Sequence, residues 1–278
     1  MRPLAYLRNG TLRWLALWRY APAIKVQPST ELLRLGSDYG GWTFELSSDL
    51  QDSVIISCGL GEDASFDVDF ATRFRAKIII VDPTPRAILH FEEIQRRLGQ
   101  PATQAYEKGG KQPIDAYDLR KIARGALTLE PSALWVENTR VKFFAPANPG
   151  HVSHSIVNYQ NNYNQNTTHI EVAAITPEAL FAKYRLRTVP LMKLDIEGAE
   201  VEVIRHMLER SIRIRQLLVE FDEMSFPSQR SKKNVENTDR ILTEAGYICR
   251  YFDGRANFLY VLPSEGVSIE GDTCSKIE

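Results

Sequence analysis

The stretch Val54-Ile55-Ile56-Ser57-Cys58-Gly59-Leu60-Gly61-Glu62-Asp63 decides how this chain folds. Its apolar, β-branched opening reads as a buried strand that runs straight into a glycine-rich turn. A second strand, Lys77-Ile78-Ile79-Ile80-Val81, follows and closes on Asp82, about twenty residues after the turn. A glycine turn lets the backbone approach a nucleotide closely, and an acid ending the next strand can hold ribose hydroxyls. The pair points to a cofactor that contains adenosine.

Away from this stretch the pattern alternates. Residues 64–74 read as a helix, and Pro83-Thr84-Pro85 opens another through 88–94, since proline cannot extend the strand but can begin a helix. Strand candidates follow at 127–129 and 133–136, with 141–144 pairing nearby. The amide-rich run 158–166 has no core-forming pattern and reads as a long surface loop. Regularity returns as a strand at 170–175, a helix at 177–183, a strand at 190–195, a helix at 199–209 and a strand at 216–221. A helix over 235–245 stops at Gly246. Two closing strands, 247–252 and 257–262, flank the turn Asp253-Gly254-Arg255-Ala256. A short strand pair precedes everything, around Trp42-Thr43-Phe44-Glu45-Leu46.

Alternating strands and helices imply an α/β, doubly wound, Rossmann-like sheet that is mostly parallel, with helices on both faces. The closing hairpin adds an antiparallel strand at the C-terminal end. A sheet ending this way looks like the class I methyltransferase fold rather than a dehydrogenase. Three parts are expected: an N-terminal helical and strand extension over 1–50, a cofactor-binding domain over 51–263, and a polar tail over 264–278.

A net charge of −1 gives no electrostatic drive toward nucleic acid, which is not expected as a partner. Cys58, Cys249 and Cys274 are odd in number and far apart, so a reducing, cytoplasmic setting is favoured over a disulfide scaffold. No run approaches the roughly eighteen apolar residues of a membrane span. Residues 1–24 mix leucines and tryptophans with Arg2, Arg8, Arg13 and Arg19. Such a helix suits peripheral contact with a membrane surface, or packing on the main domain.

The run Gly59-Leu60-Gly61-Glu62-Asp63-Ala64 also fits the dinucleotide pattern G-x-G-x-x-A. A dinucleotide would set its pyrophosphate at the helix N-terminus, beside Glu62 and Asp63. Two unit charges 4 Å apart in a partly screened site repel by roughly 4 kcal/mol. S-adenosylmethionine (SAM) carries a sulfonium and an ammonium instead, so acids at the turn suit it and disfavour NAD. An acidic helix start that supports the helix dipole is compatible with either cofactor.

The segment Leu191-Met192-Lys193-Leu194-Asp195-Ile196-Glu197-Gly198-Ala199-Glu200, a strand, then D-I-E-G-A-E, then a helix, resembles the FkbM-type methyltransferases. Val81-Asp82-Pro83-Thr84-Pro85, His151-Val152-Ser153-His154-Ser155 and Val219-Glu220-Phe221-Asp222-Glu223 echo the same family in the same order. The resemblance implies SAM-dependent methylation, mainly of hydroxyl oxygens of sugars and related natural products. It implies that Gly59 and Gly61 shape the turn under the methionine part of SAM and that Asp82 binds the ribose. It also implies that Ala133-Leu134-Trp135 borders the adenine. Many relatives carry an acid-x-Gly-x-Asn turn, whereas Ser57 stands at the acid position here. Glu62 or Asp63 is then the candidate contact to the SAM amino group.

Asp195 and Glu197 lie at the C-terminal edge of a central strand, where open α/β sheets place ligands. Asp195 is the first candidate for a carboxylate acting on the acceptor hydroxyl or near the sulfonium; its alternative is a helix cap. Glu197 either shares that work or holds the following turn. His151 and His154 lie three apart in a loop, and imidazole is a natural general base; His154 is preferred. Glu220 and Asp222 end another strand on the same edge. Asp195, Glu220 and Asp222 make a divalent metal conceivable, but no spacing demands one and none is expected. Tyr159 and Tyr163 in the amide-rich loop suit a cover for the sugar. The acceptor is expected to be a small molecule or a glycan. A dehydrogenase and a SAM-fold partner-binding subunit without turnover are the competing readings.

Overall fold

A computed structural model of the chain describes residues 19–146, 148, 150 and 153–263. It begins with a hairpin of β1 (Leu32–Leu35) and β2 (Trp42–Glu45), followed by β3 (Val54–Cys58), α1 (Ser65–Phe74), β4 (Lys77–Val81) and α2 (Pro85–Arg96). β5 (Leu127–Glu130), β6 (Ala133–Leu134), β7 (Arg140–Phe144) and β8 (His169–Ile175) come next, then α3 (Pro177–Lys183), β9 (Leu191–Leu194) and α4 (Glu200–Glu209). β10 (Gln216–Glu220), α5 (Gln229–Glu244), β11 (Ile248–Phe252) and β12 (Asn257–Val261) complete the described chain.

Seven strands form the central sheet, in the order β11-β12-β10-β9-β3-β4-β5. Neighbours from β10 through β5 are parallel, while β12 runs antiparallel to both β10 and β11. The chain therefore builds outward from β3 in one direction, then returns beside β3 with β9 and builds the other way. Such a reversal leaves a crevice between the first loops of the two halves, where ligands of open α/β sheets bind.

Alternate residues of one strand enter different cores, as the pleat requires. In β10, Leu218 belongs to one apolar cluster and Leu217 and Val219 to the other. The first cluster takes Phe66, Phe70 and Phe74 from α1, which contact one another and Phe44 at ring separations from 4.7 to 6.2 Å. Burying each such side chain contributes roughly 1.5–3 kcal/mol. The second cluster takes Val203, Ile204 and Met207 from α4 with Val235 and Leu242 from α5.

Four expectations need correction. The strands expected at 133–136 and 170–175 do not enter the central sheet; β6, β8 and β7 form a separate three-stranded sheet in that order. β8 explains why: its residues alternate between exposed and buried up to Ala174, the pattern of a one-sided strand. The last helix begins at Gln229 rather than 235, because Ser228 and Ser231 exchange side-chain and backbone bonds in a capping box. The 158–166 run is not simply a surface loop. Asn158 and Tyr159 are buried, and Asn158 is held by Asn161 Nδ2 at 2.8 Å while donating to the Asn164 carbonyl at 2.6 Å.

Finally, no structural break falls at residue 50, since Trp42 and Phe44 belong to the main core. The Gln216 side chain on β10 accepts from the Glu45 amide and donates to the Glu45 carbonyl, both at 2.8 Å. Ile24 and Val26 pack on the second cluster, and the Gln27 amide donates to Cys249 of β11 at 2.8 Å. Most of the 1–24 helix and all of the tail from 264 lie outside the described residues.

Candidate active site

Above the C-terminal ends of β3, β4, β9 and β10 opens a cleft of about 1500 Å³. Gly59, Gly61, Glu62, Asp63, Asp82, Leu134, His154, Asp195 and Glu197 all line it. The structure thus brings these candidates from the sequence into one cavity; Trp135 is not part of its lining, and His151 lies outside the described residues.

The glycine turn is set by a close approach. Gly59 has φ +84°, and a Cβ placed there would stand 1.9 Å from the carbonyl oxygen of Asp195. No other residue fits between the ends of β3 and β9. Asp82 then fastens the turn from β4: Oδ2 accepts from the Leu60 and Gly61 amides at 2.9 Å each, and Oδ1 accepts from the Thr84 amide and hydroxyl at 2.8 and 2.7 Å. A carboxylate offers about four acceptor sites, so a ribose hydroxyl would have to replace one of these bonds.

The two acids after the turn also have partners. Glu62 is ion-paired with Arg86, and with Lys111 at 3.3 Å. Asp63 Oδ2 accepts from Ser37 at 2.6 Å and Gln112 at 3.2 Å, while Oδ1 accepts from the Ser65 amide at 2.9 Å. Their charge at the turn is therefore offset or committed to holding loops, and the repulsion argument against a pyrophosphate weakens accordingly.

At the end of β9, Lys193 is buried with its ammonium donating to the carbonyls of Cys58 and Gly59. It lies 3.3 Å from Asp195 Oδ2 and 5.5 Å from the centre of the Trp42 ring. Burial favours the neutral amine, but the nearby Asp195 and Asp67 carboxylates outweigh it and hold the ammonium above its ordinary pKa. Asp195 thus takes its charge partner from its own strand and does not cap the next helix. Glu200 holds the turn before the helix, accepting from the Ile196 amide at 2.7 Å, and among the described residues no side chain caps that helix.

Glu197 follows in a left-handed conformation with φ +57°. Its carboxylate accepts from the Tyr159 hydroxyl at 3.0 Å and Gln160 at 3.2 Å. Gly198, at φ +93°, leaves room for that tyrosine, since a Cβ would meet its ring at 2.8 Å. Burial and the charge of Asp195 raise the Glu197 pKa to about 7. Burial raises Glu200 to about 8, and the neighbouring carboxylates add to it. Glu220 and Asp222 are pushed well above the carboxylate range, first by burial and then by the surrounding acids.

The remaining candidates form the walls. His154 stacks on Phe143, ring centres 5.9 Å apart. Leu134 is buried at the edge of the cleft. Phe226 meets Tyr159 edge-on at 5.5 Å, and the Arg230 guanidinium lies 4.2 Å from the centre of the Tyr163 ring. Lys193 and Trp42 received no role from the sequence. A lone lysine between Met192 and Leu194, in a strand buried on both faces, was a readable signal, because a buried charge needs partners.

Residues 37–249 match the sequence model described as the Methyltransferase FkbM domain. The chain belongs to this family. The FkbM match takes in β2, the glycine turn, the carboxylate-bearing strand ends and all five helices of the described residues. No curated protein matches the chain. Among the described residues, no helix is long and apolar enough to cross a membrane.

Proposed function

We propose that this FkbM-family protein is a SAM-dependent O-methyltransferase acting on a sugar hydroxyl of a glycan, glycolipid or glycosylated metabolite. The observation that carries the reading is the junction of Gly59 with Asp195, which joins the glycine turn and the carboxylates in one cleft. The strand order, with β12 inserted antiparallel beside β10, agrees with the doubly wound class I methyltransferase sheet.

In this reading the methionine part of SAM lies on the Gly59–Gly61 turn, and Leu134 borders the adenine. Asp82 keeps the turn in shape through the Leu60 and Gly61 amides. Aligning donor and acceptor supplies much of the rate, since a bound pair in attack geometry gains up to roughly 7–11 kcal/mol over free reactants. The acceptor oxygen forms its bond to the methyl carbon as the S–CH3 bond breaks, with the electron pair going to sulfur. S-adenosylhomocysteine (SAH) and the methyl ether result, and a base on the cleft wall takes the hydroxyl proton. Glu197, with a carboxyl near neutrality, and His154 are the groups for that task. Phe226 and Tyr163 give the cleft aromatic rings on which a sugar can stack.

Calorimetric titration with SAM, SAH and NADH tests the reading. SAM and SAH are expected to bind in the micromolar range and NADH not at all, with affinity lost in Asp82→Ala. Binding of NADH alone would overturn it. A radiolabelled methyl-transfer screen over sugar acceptors then identifies the acceptor class.

A further inference from the structure

The end of β9 and the end of β10 bring Asp195, Glu197 and Asp222 together, with one carboxylate oxygen of each lying within 4.8 Å of the others. All three line the cleft. Acidic clusters often exist without a ligand, so the decisive feature is Asp222. It is only 7% exposed, and its Oδ2 has no hydrogen-bond partner. A buried carboxylate oxygen left unpaired is costly, and this one belongs to a side chain directed at two further carboxylates. Glu200 and Glu220 are further carboxyl groups close enough to act on Asp222. Lys193 is the cation facing the group, and it is already committed to Asp195 and two backbone carbonyls.

We propose that Asp195, Glu197 and Asp222 form a binding site for a hard divalent cation of the magnesium or manganese class. An all-oxygen ligand set selects such ions over zinc or copper. Magnesium–oxygen bonds of about 2.0–2.1 Å put opposite ligands about 4.2 Å apart, so carboxylates within 4.8 Å of one another need close in by only a few tenths of an ångström for one ion to reach all three. The cleft leaves its other coordination positions open. On the methyl-transfer reading above, an acceptor hydroxyl or a pair of neighbouring hydroxyls fills them. The ion then favours loss of the hydroxyl proton, and with Glu197 occupied as a ligand that proton passes to His154. The site itself rests on the carboxylates and not on that reading.

Electron paramagnetic resonance of Mn2+ added to the full chain tests the site, with SAH binding followed in parallel. Wild type is expected to take up a single Mn2+ that Mg2+ displaces. Asp222→Asn and Glu197→Gln should each weaken uptake by more than about 100-fold, exceeding the loss typical for a group outside the ligand shell. Glu171→Gln, an exposed acid elsewhere, should leave uptake unchanged. Retained SAH binding shows that either variant is folded, and two variants guard against one failing to fold. The proposal is overturned if Mn2+ stays free with wild type, or if both variants bind it as wild type does. Mn2+ left free while Asp222→Asn weakens SAH would mean that the acids serve the cofactor's ammonium, which also overturns it. Wild type that takes up Mn2+ but does not bind SAH counts against the methyltransferase reading and leaves the cation site standing.

Discussion

Asp67 on α1 is buried beneath the glycine turn, and its Oδ1 has no hydrogen-bond partner. Burial raises its pKa from 3.8 to about 6, against the attraction of Lys193. Between those values the folded chain holds a proton that the unfolded chain has released. Stability therefore falls as pH rises through this window and levels off above it. The shift corresponds to a loss of up to about 3 kcal/mol. Asp67→Asn is expected to be more stable than wild type above about pH 6, with a shallower decline from about pH 4. Urea unfolding midpoints across that range check the sign; a decline as steep as wild type would refute it. At this scale the sequence was most readable where a single residue type was compulsory. Gly59 and Gly61 both take positive φ, and the spacing to Asp82 announced the turn. Asp222 was not readable in the same way. Its unpaired oxygen depends on how two strand ends meet that are far apart in sequence, and no local pattern encodes that approach.

Strands buried on both faces were readable because an unbroken run of Ile, Val and Leu has few other uses. Lys77–Val81 is the element as expected, and β9 and β10 differ only at their ends. β6 and β8 were readable as strands but not as members of a second sheet, since pairing partners are a long-range choice. The start of α5 was missed for a local reason. Gln229, Arg230 and Lys232 in its first turn carry no apolar signal, while the start is encoded by Ser228 and Ser231. Ser228→Ala removes the hydroxyl that accepts from the Ser231 amide, while the backbone amide at 228 can still donate to Ser231 Oγ, and should cost about 1 kcal/mol, measured as a lower midpoint of chemical unfolding. An unchanged midpoint would show that packing of Val235 and Leu242 alone holds the helix in place.

For the whole molecule, a ligand that binds only the folded state adds stability by mass action. SAH at about 100 times its dissociation constant should add about 2.7 kcal/mol. For a domain of this size that corresponds to a rise of roughly 5–11 °C in melting temperature, read by calorimetry or scattering; NADH at the same concentration should give none. The rise should also be cooperative, as one transition. The turn that would hold the ligand is continuous through Asp195 with β9, and β9 lies between β3 and β10 in the sheet. The two halves of the sheet then have no means of melting separately.

Trp42 reaches beneath the same cleft, only 4% exposed, with the Lys193 ammonium 5.5 Å from its ring. An indole beside a fixed charge is an optical electrometer: its emission colour follows the field across the ring. Anything that adds or screens charge at the strand ends should shift the fluorescence without touching the tryptophan. The fold therefore carries its own dye, and a titration followed by emission wavelength would report occupancy of the cleft in the unlabelled protein.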